Sequence, residues 1–297
     1  MRTLLSEFVD TDATSAGCGP ELGDAEFEFI RHVIAKNAGI ALGPNKRQLV
    51  QGRLARRLRE LLLPSFDAYC DHVRDSGPEE LVGLINALTT NVTSFFRENH
   101  HFEALANHGL PEAFQRNRQS RRIRIWSAGC SSGEEAYCIA MIAREVMPAG
   151  QKWDLKILAT DIDSDMIATA QLGIYPLDRL TSVTEERLRR HFRKGVGKHA
   201  GHAKVNPEVA QLISFRTLNL MHTWPMSGQF DIVFCRNVMI YFDQATRERL
   251  VARFGDILVP GGYLCLGHSE SIHDSGAPFR LVGKTIYRKT GARADAP

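Results

Sequence analysis

Trp126-Ser127-Ala128-Gly129-Cys130-Ser131-Ser132-Gly133-Glu134-Glu135 follows an apolar run, Ile123 to Ser127, and leads into a helical stretch, Glu134 to Met147. Small residues directly after a strand let the backbone turn tightly and let a ligand approach the amides at a helix start, as in nucleotide-binding βαβ units. The spacing departs from GxGxxG, and the Gly-Lys-Ser/Thr ending of a P-loop is absent. Two acids open the helix. They would repel a pyrophosphate and attract the ammonium of an amino-acid moiety, which favours S-adenosylmethionine over NAD or ATP.

Working outward, the next apolar run, Leu155 to Thr160, ends in Asp161-Ile162-Asp163. An acid at the tip of the second strand is where a ribose diol is bound in such folds, which points to Asp161; capping the following helix is the competing role for either aspartate. Further strands are expected at Phe230 to Cys235, Tyr263 to Leu266 and Thr285 to Arg288, with a helix from Gln244 to Leu258. Alternation of this kind argues for an α/β domain on a mainly parallel sheet. Basic, Gly- and His-containing sequence from about Gly173 to Ser214 interrupts it and reads as an inserted subdomain. Ligands in open α/β sheets bind at the carboxyl ends of strands, so Asn237 and Tyr241 are placed for a site. Packing of a helix start is the equal alternative for Tyr241 and Phe242.

Upstream, the grammar is helical. Asp24 is expected to cap a helix carrying Phe27, Ile30 and Ile34 that stops at Gly39; Ser65 opens another and Pro78 a fourth. Between them, Val50, Leu54, Leu58 and Leu61 recur at helical spacing, while Arg53, Arg56 and Arg59 lie along one polar flank. Residues 45–60 carry a net charge of +5, more than the +3 of the whole 297-residue chain. A solvated face and a docking face are both open readings; Arg57, nearer the apolar stripe, suits a structural role. A 43% apolar and 24% charged composition excludes disordered, collagen-like and coiled-coil chains. No apolar run is long enough to span a membrane and the N-terminus is unlike a secretory signal, so the expected compartment is the cytoplasm. Six cysteines without a CxxC pair read as free thiols there.

Motifs in one order along the chain carry a resemblance. Asn91-Val92-Thr93-Ser94-Phe95-Phe96-Arg97-Glu98, the Ser127 to Glu135 turn, Ala159 to Asp163, Cys235-Arg236-Asn237-Val238-Met239-Ile240-Tyr241-Phe242 and Gly267-His268-Ser269-Glu270 together resemble the chemotaxis receptor methyltransferase (CheR) family. The resemblance implies an enzyme that moves a methyl group from S-adenosylmethionine to glutamate side chains of methyl-accepting chemotaxis receptors, leaving S-adenosylhomocysteine and glutamyl methyl esters. It implies an all-α N-terminal domain and a Rossmann-like α/β methyltransferase domain with a small inserted β-subdomain. The expected boundaries are a flexible tail at 1–22, helices at 23–90, a linker and helix at 91–122, the methyltransferase domain at 123–290 with the insert at about 174–214, and a flexible tail at 291–297. Carried over position by position, the cofactor contacts fall on Asn91, Thr93, Arg97, Glu134, Asp161, Asn219, Leu220, Arg236 and Asn237. Arg97 and Tyr241 are the family positions nearest the transferring methyl.

The chemistry agrees with these residue types. A glutamate, with an unperturbed pKa of about 4.3, is already a carboxylate at neutral pH, so no Cys/His or Ser/His pair is required. Arg97 is expected to orient cofactor or substrate carboxylate and Tyr241 to fix alignment. Arg53, Arg56 and Arg59 are candidates for steering the acidic receptor bundle. Some members dock a receptor's C-terminal peptide as an added strand on the β-subdomain, and Arg193 to Val205 is the candidate hairpin here. No metal is expected: His199 and His202 form an HxxH pair without nearby ligands to complete a site. His100, His101 and His268 suit packing and hydrogen bonding. A nucleic-acid methyltransferase is the second enzyme reading, weakened because Asn237-Val238-Met239-Ile240 stands where base enzymes carry Asn/Asp-Pro-Pro-Tyr/Phe. A cofactor-binding sensor without turnover is the third.

Overall fold

Four helices begin where the sequence supplies start signals. The structure is a computed structural model and describes residues 20–272 and 278–291. α1 (Asp24–Ala38) is entered from extended Gly23 and left through Gly39 at φ 71°, where a residue without Cβ is unstrained. Asp24 is thus the first helical residue and not the expected cap; its charge favours the helix N-terminus instead. α2 (Arg47–Leu61) follows, then α3 (Phe66–Asp75), capped by the Ser65 hydroxyl, which accepts from the Ala68 amide at 3.1 Å. α4 (Pro78–Leu88) starts on a proline, whose missing N–H is no loss at that position. The apolar faces of all four form one core around Ile30, Ile34, Leu54, Tyr69 and Leu84. Leu22, fully buried in that core, corrects the expected tail at 1–22. Residues 1–19, Cys18 among them, lie outside the described residues, as do 292–297.

Residues 91–99 connect to α5 (His100–Ala104) and α6 (Leu110–Arg116), joined through a π-helical turn, Leu105–Gly109. The α/β domain then alternates: β1 (Arg122–Ala128), α7 (Glu134–Val146), β2 (Asp154–Asp161), α8 (Ser164–Leu172). An insert follows, with β3 (Ile174–Pro176), α9 (Glu185–His191), β4 (Phe192–Lys194), β5 (His202–Val205) and α10 (Pro207–Ala210). The chain returns through β6 (Ile213–Thr217), β7 (Phe230–Cys235), α11 (Gln244–Ile257), β8 (Leu258–Leu266), β9 (Phe279–Gly283) and β10 (Ile286–Lys289). The main sheet has the order β6-β2-β1-β7-β8-β10-β9; the first five strands are parallel and the last two antiparallel. Every residue of β7 is buried, as expected of a central parallel strand covered on both faces.

The insert is its own antiparallel sheet, β3-β5-β4, and the expected hairpin is β4–β5. Its boundary at 214 is corrected, because Ile213 and Ser214 pair with Ile157 and Leu158 of the main sheet. β9 was not anticipated. Cys70, Cys130, Cys138, Cys235 and Cys265 are free and buried. Among the described residues, no helix is long and apolar enough to cross a membrane.

Candidate active site

From β1 the chain winds through β2 and out to β6, then crosses back to β7 on the other side of β1. The crevice where strand order reverses therefore opens at the carboxyl ends of β1 and β7, the place where such sheets bind ligands. A cavity of about 120 Å3 lies there. Its floor is the turn after β1, with Gly129 at φ 88° and Gly133 at φ 96°. A Cβ on Gly129 would stand 2.3 Å from the Val238 side chain, so only glycine lets the turns after β1 and β7 meet.

Asp161, at the tip of β2, lines the cavity and accepts from the Ser131 amide at 2.7 Å and the Asp163 amide at 3.0 Å. Burial pushes its carboxyl up, against the pull of those amides. Asp163 takes the competing role. It caps α8 through the Asp165 and Met166 amides, and also accepts from Asn91 Nδ2 at 2.7 Å. Asn91, Thr93 and Arg97 bring the 91–97 segment to the wall, Asn219 and Leu220 come from the turn after β6, and Arg236, Asn237 and Tyr241 from the turn after β7. The helical domain closes the remaining side with Ala38, Ile40 and Leu88. It is tied there by the Ala41 amide on the Tyr241 carbonyl (2.8 Å) and by Asn219 Nδ2 on the Asn37 carbonyl (2.5 Å).

Arg236 organises the charges. It is 6% exposed, contacts Glu135 at 3.0 Å and Glu98 at 3.3 Å, and donates to the Arg97 carbonyl. Its Nε has no hydrogen-bond partner among the described residues. Glu98 is held at about 2: burial works against ionisation, but His268, Arg236 and Asn237 outweigh it. Glu135 moves the other way, pushed up by burial despite Arg236. His101 is pushed down to about 3 by burial and by Arg236, so it is neutral near pH 7 and bonds Thr285 Oγ1 through Nε2 at 3.1 Å. Glu98, His100 and His101 are the one His/Cys/Asp/Glu group among the described residues close enough to share a cation, yet the guanidinium on Glu98 repels one. His199 and His202 gather no such group.

Two expected positions make other contacts in the structure. Glu134 is not among the wall residues; it is buried, accepts from Ser132 Oγ at 2.7 Å and stands 3.4 Å from Arg179, while Glu135, one residue on, lines the cavity. On α2, the half-buried Arg53 guanidinium donates to the Leu88 and Thr89 carbonyls (2.6 and 2.8 Å), closing the C-terminal end of α4. Arg56 and Arg59 are exposed. Arg57 is structural, paired with buried Glu80 at 2.6 Å. Of the two acids that open α7, sequence reading carried only Glu134 into the cofactor set, and it missed Glu98 and the helical-domain wall.

Comparison with known proteins bears directly on this crevice. Residues 91–288 match the family model described as CheR methyltransferase, SAM binding domain, and residues 25–89 that of the CheR all-alpha domain. The chain belongs to the CheR methyltransferase family. A chemotaxis protein methyltransferase of Escherichia coli (strain K12) is 42% identical over 90% of this chain and 91% of its own length. Chemotaxis protein methyltransferase 2 of Pseudomonas aeruginosa is 42% identical over 90% of this chain and 96% of its own. A solved S-adenosylmethionine-dependent methyltransferase from Mesorhizobium loti aligns over 55% of this chain and 54% of its own at 15% identity, TM-score 0.29. The seven-stranded sheet is thus the S-adenosylmethionine-binding domain of a CheR methyltransferase, and the four helices are its all-α domain.

Proposed function

We propose that this CheR-family protein methylates glutamate side chains of methyl-accepting chemotaxis receptors, from S-adenosylmethionine, to give glutamyl methyl esters in the cytoplasm. One observation carries the reading: segments 91–97, 129–135, 161–162, 218–220 and 236–242, far apart in sequence, line a single cavity at the switch point of the sheet. The residues fit the cofactor. Asp161 offers a buried carboxylate to a ribose diol, Arg236 brings a guanidinium to the wall for a carboxylate, and Ile40, Leu88 and Leu218 give an apolar wall for a base. Asn91, Thr93, Arg97, Asn219, Leu220 and Asn237 complete the proposed binding set.

When bound, the cofactor supplies a methyl group on a sulfonium that an ionised carboxylate can attack directly. A glutamate, at about pKa 4.3, is ionised at neutral pH, so the chain has no proton to remove. In keeping with this, no histidine or cysteine stands among the described wall residues. The residues' work is alignment and exclusion of water, because opposite charges cancel toward the transition state and a strong clamp on the nucleophile would oppose transfer. Arg97 spends one donor on the Val92 carbonyl (2.8 Å) and keeps others for a substrate carboxylate; Tyr241 presents its hydroxyl at the wall. The partners proposed are exposed glutamates of a helical bundle, with the open-edged β3-β5-β4 sheet as the surface for a receptor tail peptide.

The test is incubation with methyl-labelled S-adenosylmethionine and membranes carrying chemoreceptors, followed by mild base. Label incorporated into receptor and released as methanol is the expected result. Cofactor binding with no transfer, or a base-stable label, would overturn the glutamyl ester.

A further inference from the structure

Of the family-like segments, Gly267-His268-Ser269-Glu270 contributes no side chain to the cavity wall, yet it holds one of the least exposed carboxylates of the fold, Glu270 at 5%. The turn leaves β8 beside the loop that leaves β7. Glu270 Oε2 accepts from the Asn237 amide at 2.9 Å and the Gly267 amide at 2.6 Å, and Oε1 accepts from the Ile240 amide at 3.2 Å. Three backbone donors thus converge on one side chain. Two belong to the loop that carries Arg236, Asn237 and Tyr241, where Asn237 sits at φ 59°, the left-handed conformation that asparagine adopts more readily than other residues with a Cβ. Gly267 is fitted to the same contact, since a Cβ there would stand 2.7 Å from the Asn237 nitrogen and 2.8 Å from Glu270 Oε2.

We propose that Glu270 is the positioning residue of this active site, fixing the Asn237–Tyr241 loop against the turn after β8 through the Asn237, Ile240 and Gly267 amides. The proposal rests on the reading of the cavity as a methyl-transfer site. A carboxylate is needed because only an oxygen at both positions can accept from all three; an amide turns an NH2 group onto one of them and leaves a buried donor opposed.

The test compares wild type with Glu270→Gln and, from the opposite side of the contact, Gly267→Ala. Labelled methyl transfer to receptor membranes gives kcat and acceptor KM, calorimetry with S-adenosylhomocysteine gives the cofactor Kd, and circular dichroism gives the folded fraction. For at least one variant, kcat per folded molecule is expected to fall about 10- to 100-fold and Kd to rise about ten-fold with acceptor KM within about two-fold, the signature of misplaced groups. Both variants retaining kcat and Kd within about two-fold per folded molecule would overturn the proposal, as would losses that track the folded fraction alone. If wild type itself transfers no label, the functional reading fails, and the Kd comparison still decides whether Glu270 positions the loop.

Discussion

Arg236 and its two carboxylates show why charge can lie so deep beside this cavity. A buried guanidinium is costly alone, but Glu135, Glu98 and the Arg97 carbonyl surround it, so the group is compensated on several donors. That frame fixes the base of the loop whose far end is Tyr241. The phenol ring packs with the core around β7, whereas the hydroxyl is the part assigned to alignment. Tyr241→Phe removes only the latter. It is expected to lower kcat about ten-fold and leave the S-adenosylhomocysteine Kd unchanged, measured by label transfer and calorimetry, because a group acting only on alignment affects the transition state. Full turnover in this variant would end that assignment. Asp161 and Asn237 were readable from sequence because strand ends can be counted off an apolar pattern. The bridge between Glu98 and Glu135 was not: Arg236, which joins them, lies 138 and 101 residues away, and no local spacing encodes such a pairing.

Among the elements, α2 divides its arginines by what the neighbouring helix needs. Periodicity gave the helix and its buried stripe, since Val50, Leu54 and Leu58 repeat at the helical interval. It placed Arg53, Arg56 and Arg59 on one flank, but the carbonyls that claim Arg53 belong to the end of α4 and are invisible to a pattern within α2. Arg53→Ala is therefore expected to act on stability, by about 1–2 kcal/mol in denaturant unfolding, through orphaned C-terminal carbonyls. Arg56 is 80% exposed and shares only a surface pair with Glu60 at 2.8 Å. If this face steers an acidic bundle, Arg56→Glu with Arg59→Glu slows receptor methylation at low ionic strength without moving the melting point, and the deficit closes as salt rises toward about 1 M, where the Debye length is about 3 Å. A deficit independent of salt would assign the defect to something other than steering.

Over the whole molecule, the sequence announced three parts, and packing decides how they act together. The insert is clamped to the main sheet by Glu145 at the end of α7, which pairs with Arg187 at 2.8 Å and accepts from His191 at 3.1 Å, both on α9. The insert itself could be seen as a break in strand–helix alternation; the clamp joins residues more than 40 apart and could not. Burial opposes ionisation of Glu145, yet His191 and Arg187 hold its carboxyl at about 2. A carboxyl lowered on folding stabilises above its unfolded pKa of about 4.3, and that contribution is lost as pH falls toward the folded value, so at neutral pH it is present in full. Glu135 and Asp161, raised by burial, run in the opposite direction, so the wild-type acid profile alone mixes both signs. Comparison with Glu145→Gln cancels them. The variant is expected to melt several degrees below wild type at pH 7, with the gap constant down to about pH 5 and closing between about pH 4.5 and pH 2. A gap that persists unchanged through that window in thermal melts would show that Glu145 acts by packing and not by charge.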